Sequence, residues 1–88
     1  MRFPIYSIKD QKVGFTPPTV DQNDSSAIRN FAYAVNNGGI MNYSPNDFDL
    51  YKVGVFDVES GIVKSLSLDH LANGADLLPK SKEPVEIE

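Results

Sequence analysis

At 88 residues the chain has room for one small domain, which buries only roughly 60–65% of its unfolded surface, so dimerisation is an expected source of extra stability. The absence of cysteine excludes disulfides, thiolate metal sites and cysteine nucleophiles, while a hydrophobic share of 41% is ordinary for a globular fold. A net charge of −4 excludes a polyanion binder that works by overall charge, and leaves only one whose basic residues gather locally.

Phe3-Pro-Ile-Tyr-Ser-Ile-Lys9 reads as a first strand, with Pro4 near its start or at an edge because proline cannot donate to a ladder. Its apolar run breaks at Lys9 and Asp10, far short of a signal-peptide core. No stretch approaches the roughly 18–20 apolar residues that span a bilayer. A soluble protein with no membrane partner is expected. Lys12–Thr16 reads as a second strand, with Val13 and Phe15 on one side, stopped by Pro17-Pro18. Thr19–Asn23 reads as a polar connection.

Asp24–Gly39 carries the one strong helix signal. Asp24 or Ser25 can cap its start, Gly38 and Gly39 can end it, and Ile28, Phe31, Ala32 and Val35 form an apolar stripe at three- and four-residue steps. Ser44-Pro45 then suggests a single helical turn over Pro45–Phe48. Asp49–Asp57 is the clearest strand, with Leu50 and Phe56 on one face and Tyr51, Val53 and Val55 on the other. Glu59-Ser60-Gly61 supplies a turn, and Ile62–Leu68 returns as the partner of a hairpin. Asp69–Leu78 reads either as a short irregular helix or as a loop docking Leu71, Leu77 and Leu78. Residues 79–88 are charged, broken by proline and expected to be a mobile acidic tail. The order ββαββ predicts a small single α+β domain over residues 1–78, with two hairpins flanking one central helix and an antiparallel sheet packed against it.

Little in this pattern points to catalysis. His70 stands alone among the histidines and has no nucleophile or second ligand at a recognisable spacing, so a surface histidine is the expectation. Asp47, Asp49 and Asp57 match no calcium loop, and turn or cap roles fit them better. No enzyme, metal site or cofactor is expected.

The distribution of charge is more informative. Residues 1–64 hold six basic against seven acidic side chains, so much of the acidity sits in the last quarter. All nine aromatic residues lie among those early basic ones. Rings that stack on bases beside cations that follow the phosphates are how single strands are commonly bound. Tyr6 near Arg2 and Lys9, Tyr51 near Lys52, and Lys12 are candidates; so are Arg29 and Tyr33, on the helix face opposite the stripe. Core packing is the competing reading for the phenylalanines, and a dimer contact the competing reading for Tyr33.

Three segments in order, Phe3-x-Ile5-Tyr6-Ser7-x-x-Asp10, Ser26–Asn36 and Tyr43–Asp57 followed by a glycine turn, resemble the small nonstructural protein of gokushoviruses. These are microviruses, tailless phages with a circular single-stranded DNA genome. The resemblance covers roughly residues 1–78 and departs at Asn37–Asn42 and in the tail. It implies a non-capsid protein, commonly described as DNA-binding, that handles or helps to copy the single-stranded genome in the host bacterial cytoplasm. Of the candidate residues with suitable chemistry, the resemblance carries over only Arg29. The alternatives are a module that engages the phage replication protein or a host factor without touching DNA and, more weakly, a scaffold-like assembly factor.

Overall fold

A computed structural model describes residues 1–78, so the expected acidic tail lies outside the described residues. The strands are β1 (Arg2–Asp10), β2 (Gly14–Phe15), β3 (Thr19–Val20), β4 (Phe48–Asp57) and β5 (Val63–Asn73); the helices are α1 (Asp24–Val35) and α2 (Gly39–Tyr43). Short 3-10 turns occupy Pro45–Asp47 and Gly74–Leu77. All pairings are antiparallel: β4 lies between β1 and β5, and the far edge of β1 takes β2 at one end and β3 at the other.

One helix does pack on an antiparallel sheet, and the two expected pairings, β1 with β2 and β4 with β5, are present. The details depart from simple hairpins on either side of the helix. The second strand shrinks to two residues, and Thr19–Val20, read as a connection, pairs with β1. Thr16 bridges the gap between them by giving its N–H to the Ile8 carbonyl at 2.8 Å and taking the Ile8 N–H on its hydroxyl at 3.0 Å. The ambiguous stretch after Leu68 continues β5 to Asn73 and then forms a 3-10 turn, and α2 was not anticipated. Gly61, at φ 75°, closes the β4–β5 turn as its position suggests.

Helix α1 is capped by Asn23, one residue earlier than expected: its side-chain oxygen accepts from the Ser26 amide at 2.8 Å. The apolar stripe runs through Ala27, Phe31 and Val35, with Ile28 at its margin. These side chains meet Tyr6, Phe48 and Leu50 from the sheet, and Ile8, Met41, Leu71, Ala72 and Leu77 close the rim. Each fully buried large apolar side chain here contributes about 1.5–3 kcal/mol, so this one cluster carries the domain.

The helix start is fastened to the sheet by polar contacts. The Tyr6 hydroxyl donates to Asp24 at 2.6 Å, and Lys52 Nζ lies 3.1 Å from the same oxygen. Burial, then the bond to Asp24, pushes the Tyr6 hydroxyl well above the ordinary tyrosine range. The Tyr6 bond, with Lys52 beside it, holds the Asp24 carboxyl below its usual range. Asp24 also sits in the first turn of α1, where the helix dipole favours negative charge.

The sheet's faces do not alternate evenly along β4. Ile5 pairs with Gly54 and Tyr6 with Lys52, so Val53 is an extra residue, and β5 sets Leu66, Ser67 and Leu68 against it. Such a bulge moves later residues to the other face. Phe56 therefore leaves the face of Leu50 and joins Val53, Ile5 and Val63 on the side away from α1. This corrects the even alternation read from the sequence.

Candidate nucleic-acid interface

No described helix packs on the sheet face away from α1, where Ile5 and Ser7 are buried and the Thr16–Pro18 segment lies at one margin. Across its strands runs a row set by register: Phe15 of β2 opposite Lys9 of β1, Lys9 opposite Asp49 of β4, and Asp49 opposite Asn73 of β5. The next row holds Ser7, Tyr51 and His70. Side chains from these two rows make a continuous strip. The Lys9 ammonium stands 5.7 Å from the centre of the Phe15 ring, within cation–π range. Phe15 meets Tyr51 edge to face at 5.6 Å, and Tyr51 meets His70 likewise at 5.3 Å. Phe15 is 46% exposed and the His70 side chain 48%, so the strip presents ring surface to solvent.

Asp49 holds the strip from beneath. It is buried, accepting from Gln11 Nε2 at 2.8 Å and from Asn73 Nδ2 at 3.0 Å, with His70 Nε2 2.8 Å from its first oxygen. Burial by itself would raise its pKa, but the bonds from Asn73, His70 and Gln11 outweigh that and hold the carboxyl below its usual range. Its negative charge is thus turned inward, onto donors, rather than toward a ligand above the strip. The arrangement offers ring faces with a cation at one end. Among the described residues no group of three or more histidine, cysteine or acidic side chains is placed to hold a metal ion.

Only part of the sequence-derived set converges here. Lys9 and Tyr51 are in the strip, and Lys12 lies in the Gln11–Val13 turn that joins β1 to β2 at its margin. Arg2 is at the opposite end of β1, seven residues from Lys9 and so about 23 Å away along an extended strand. Arg29 and Tyr33 are exposed on α1, in the other layer, with Tyr33 70% exposed. Tyr6 is 2% exposed, with its ring in the core and its hydroxyl on Asp24, so it has no face to offer a base. Lys52 is engaged with the same Asp24 on the helix side of the sheet. The early basic residues therefore do not share one face.

Two members of the strip were missed. Phe15 falls under the core reading of the phenylalanines, whereas its register opposite Lys9 puts it in the strip. His70 had no usable signal, because only the length of β5 brings it beside Tyr51.

The family model described as Phage ORF5 protein matches residues 3–77, nearly the whole described domain. The chain belongs to the Phage ORF5 protein family. No curated protein and no solved structure gives a match. The ORF5 match takes in both helices and, save for Arg2 at the start of β1, all five strands, so the sheet face and its strip lie within the matched region.

Proposed function

We propose that this phage ORF5 protein is a non-enzymatic genome-handling factor of a microvirus that binds single-stranded DNA across the sheet face away from α1. The observation that carries the reading is the Lys9–Phe15–Tyr51–His70 strip, which puts three stackable rings and a cation on one exposed surface. Stacking on an aromatic ring is worth about 1–3 kcal/mol per base and tolerates any sequence. With Lys9 and Lys12 as the nearby cations, counterion release is small. The logarithm of affinity should fall with the logarithm of salt at a slope near −1.4, from about 0.7 per phosphate contacted.

Such a strip binds weakly by itself, because association costs offset most of the stacking gain. A homodimer that presents two strips to one strand gains by effective concentration, and this is the reason to retain dimerisation in the proposal. The working compartment in this reading is the host bacterial cytoplasm. A fluorescence-anisotropy titration of a labelled oligothymidine at several salt concentrations tests it. Saturable binding with a shallow slope supports the proposal; no binding at about 50 mM salt, where the electrostatic part is strongest, removes it.

One observation favours a second reading, a protein-binding module that engages the phage replication protein or a host factor. Beyond the strip, the same face continues as a mostly apolar depression of about 420 Å³, lined by Ile5, Pro18, Val20, Val53, Phe56 and Val63, with Lys64 and Ser65 as its polar members. A surface of that chemistry suits a protein better than a phosphate backbone. Capture of the replication protein with no affinity for oligothymidine is the result that selects this reading.

A further inference from the structure

We infer that Asn37 is a site of spontaneous deamidation in the folded protein, and that Asn73, in an identical Asn-Gly pair, is protected. The chain holds two such pairs, Asn37-Gly38 and Asn73-Gly74, and the fold treats them oppositely. The reaction needs the side-chain amide carbon of asparagine to swing onto the backbone nitrogen of the next residue, which glycine permits because it has no Cβ to obstruct the approach.

At Asn37 little stands in the way. The residue and Gly38 are exposed just past the end of α1, and the side chain makes a single hydrogen bond, from Nδ2 to the Tyr33 carbonyl at 2.5 Å. Gly38 has φ 86°, its amide makes no backbone hydrogen bond among the described residues, and open space surrounds the position where a Cβ would be.

Asn73 is held on all sides. Its oxygen accepts from the Ala75 amide at 3.0 Å, and its Nδ2 donates to the Asn46 carbonyl and to Asp49, each at 3.0 Å. Gly74 is buried so closely that a Cβ there would lie 2.4 Å from the Pro45 carbonyl oxygen. Reaction at Asn73 therefore requires the chain to open first.

In the step itself, the Gly38 nitrogen attacks Asn37 Cγ. The new N–Cγ bond forms as the Cγ–Nδ2 bond breaks, and Nδ2 leaves as ammonia with the proton from the Gly38 amide. Solvent water then opens the cyclic imide at either carbonyl, giving aspartate or isoaspartate. The product carries a negative charge beside the last carbonyls of α1, where the helix dipole disfavours it, and it has lost the donor to Tyr33. An aged population of the protein is thus more acidic and less firmly closed at the end of α1.

The test uses the full chain, held at mildly alkaline pH, native or in urea, and followed by peptide mass mapping and ammonia release. In the native protein Asn37 should convert while Asn73 lags at least about tenfold, the ratio set by a local opening cost of about 1.4 kcal/mol. In urea the two rates should converge, and Asn37→Gln should abolish the faster native site. Equal native rates at the two asparagines, or an intact Asn37 after an incubation that converts both in urea, would overturn the inference.

Discussion

At the residue scale, Asp49 is the side chain on which the sheet face depends. Three donors from two parts of the chain, Gln11 after β1 and His70 and Asn73 in β5, close on one buried carboxylate. Hydrogen bonds to a charged group are worth about 1.5–3 kcal/mol, and removing the acceptor leaves its donors unpaired. Asp49→Ala should therefore lower stability by about 2–4 kcal/mol in a urea titration. The pH dependence follows from the direction of the shifts. Asp49 and Asp24 are both held below the ordinary carboxylate range in the folded state. Their stabilisation is complete above the unfolded value near pH 4 and is lost as the pH falls through their lower folded values. Melting temperature should hold level from neutrality down to about pH 4–5 and drop below it, and Asp49→Asn should make that acid limb shallower. An equally steep limb in Asp49→Asn would show that the carboxylate contributes nothing specific.

At the scale of elements, α1 is held by its apolar stripe and by the Tyr6–Asp24–Lys52 contact. Tyr6→Phe keeps the packing and removes the hydroxyl that donates to Asp24, so a loss of about 1–2 kcal/mol is expected. Phe31→Ala should cost about 3–5 kcal/mol, because it opens a cavity in the one core cluster. A two-state unfolding comparison of the two variants checks both magnitudes and their order.

These same elements show what the sequence makes legible. The helix, the β4–β5 hairpin, the Pro45 turn and the α+β class follow from periodicity, capping and turn chemistry, which are local. The early cap at Asn23 competed with two equally good neighbours, Asp24 and Ser25, and only the entry path of the chain decides among them. The pairing of Thr19–Val20 with β1, the bulge at Val53 and the reach of β5 to Asn73 are tertiary facts with no local signature. The candidate site depends on them. Composition alone points equally to Lys9 and Tyr51, which Phe15 joins in one strip, and to Tyr6 and Lys52, which are used on the helix side. Telling these pairs apart requires the register.

At the scale of the whole molecule, the two layers present different surfaces. The helix layer exposes Arg29 and Tyr33 on α1 and Ile40 and Tyr43 on α2. The sheet layer exposes the aromatic strip and the apolar depression next to it. Among the described residues no helix is long and apolar enough to cross a membrane. In the dimeric form of the proposal, light scattering should give twice the chain mass at high concentration; a monomer there removes avidity from the mechanism and leaves a single weak strip.

The two layers also separate the two ways in which DNA could be held. The deciding measurement is the affinity of labelled oligothymidine for the wild type, for a Phe15→Ala/Tyr51→Ala variant of the sheet face and for an Arg29→Glu/Tyr33→Ala variant of the helix face. All three are compared at about 50 mM salt, after each is shown to be folded. Loss of about 2–6 kcal/mol in the sheet-face variant, with the helix-face variant close to wild type, is the expected result for stacking on two rings. Binding that survives in the sheet-face variant and disappears in the helix-face variant would contradict it.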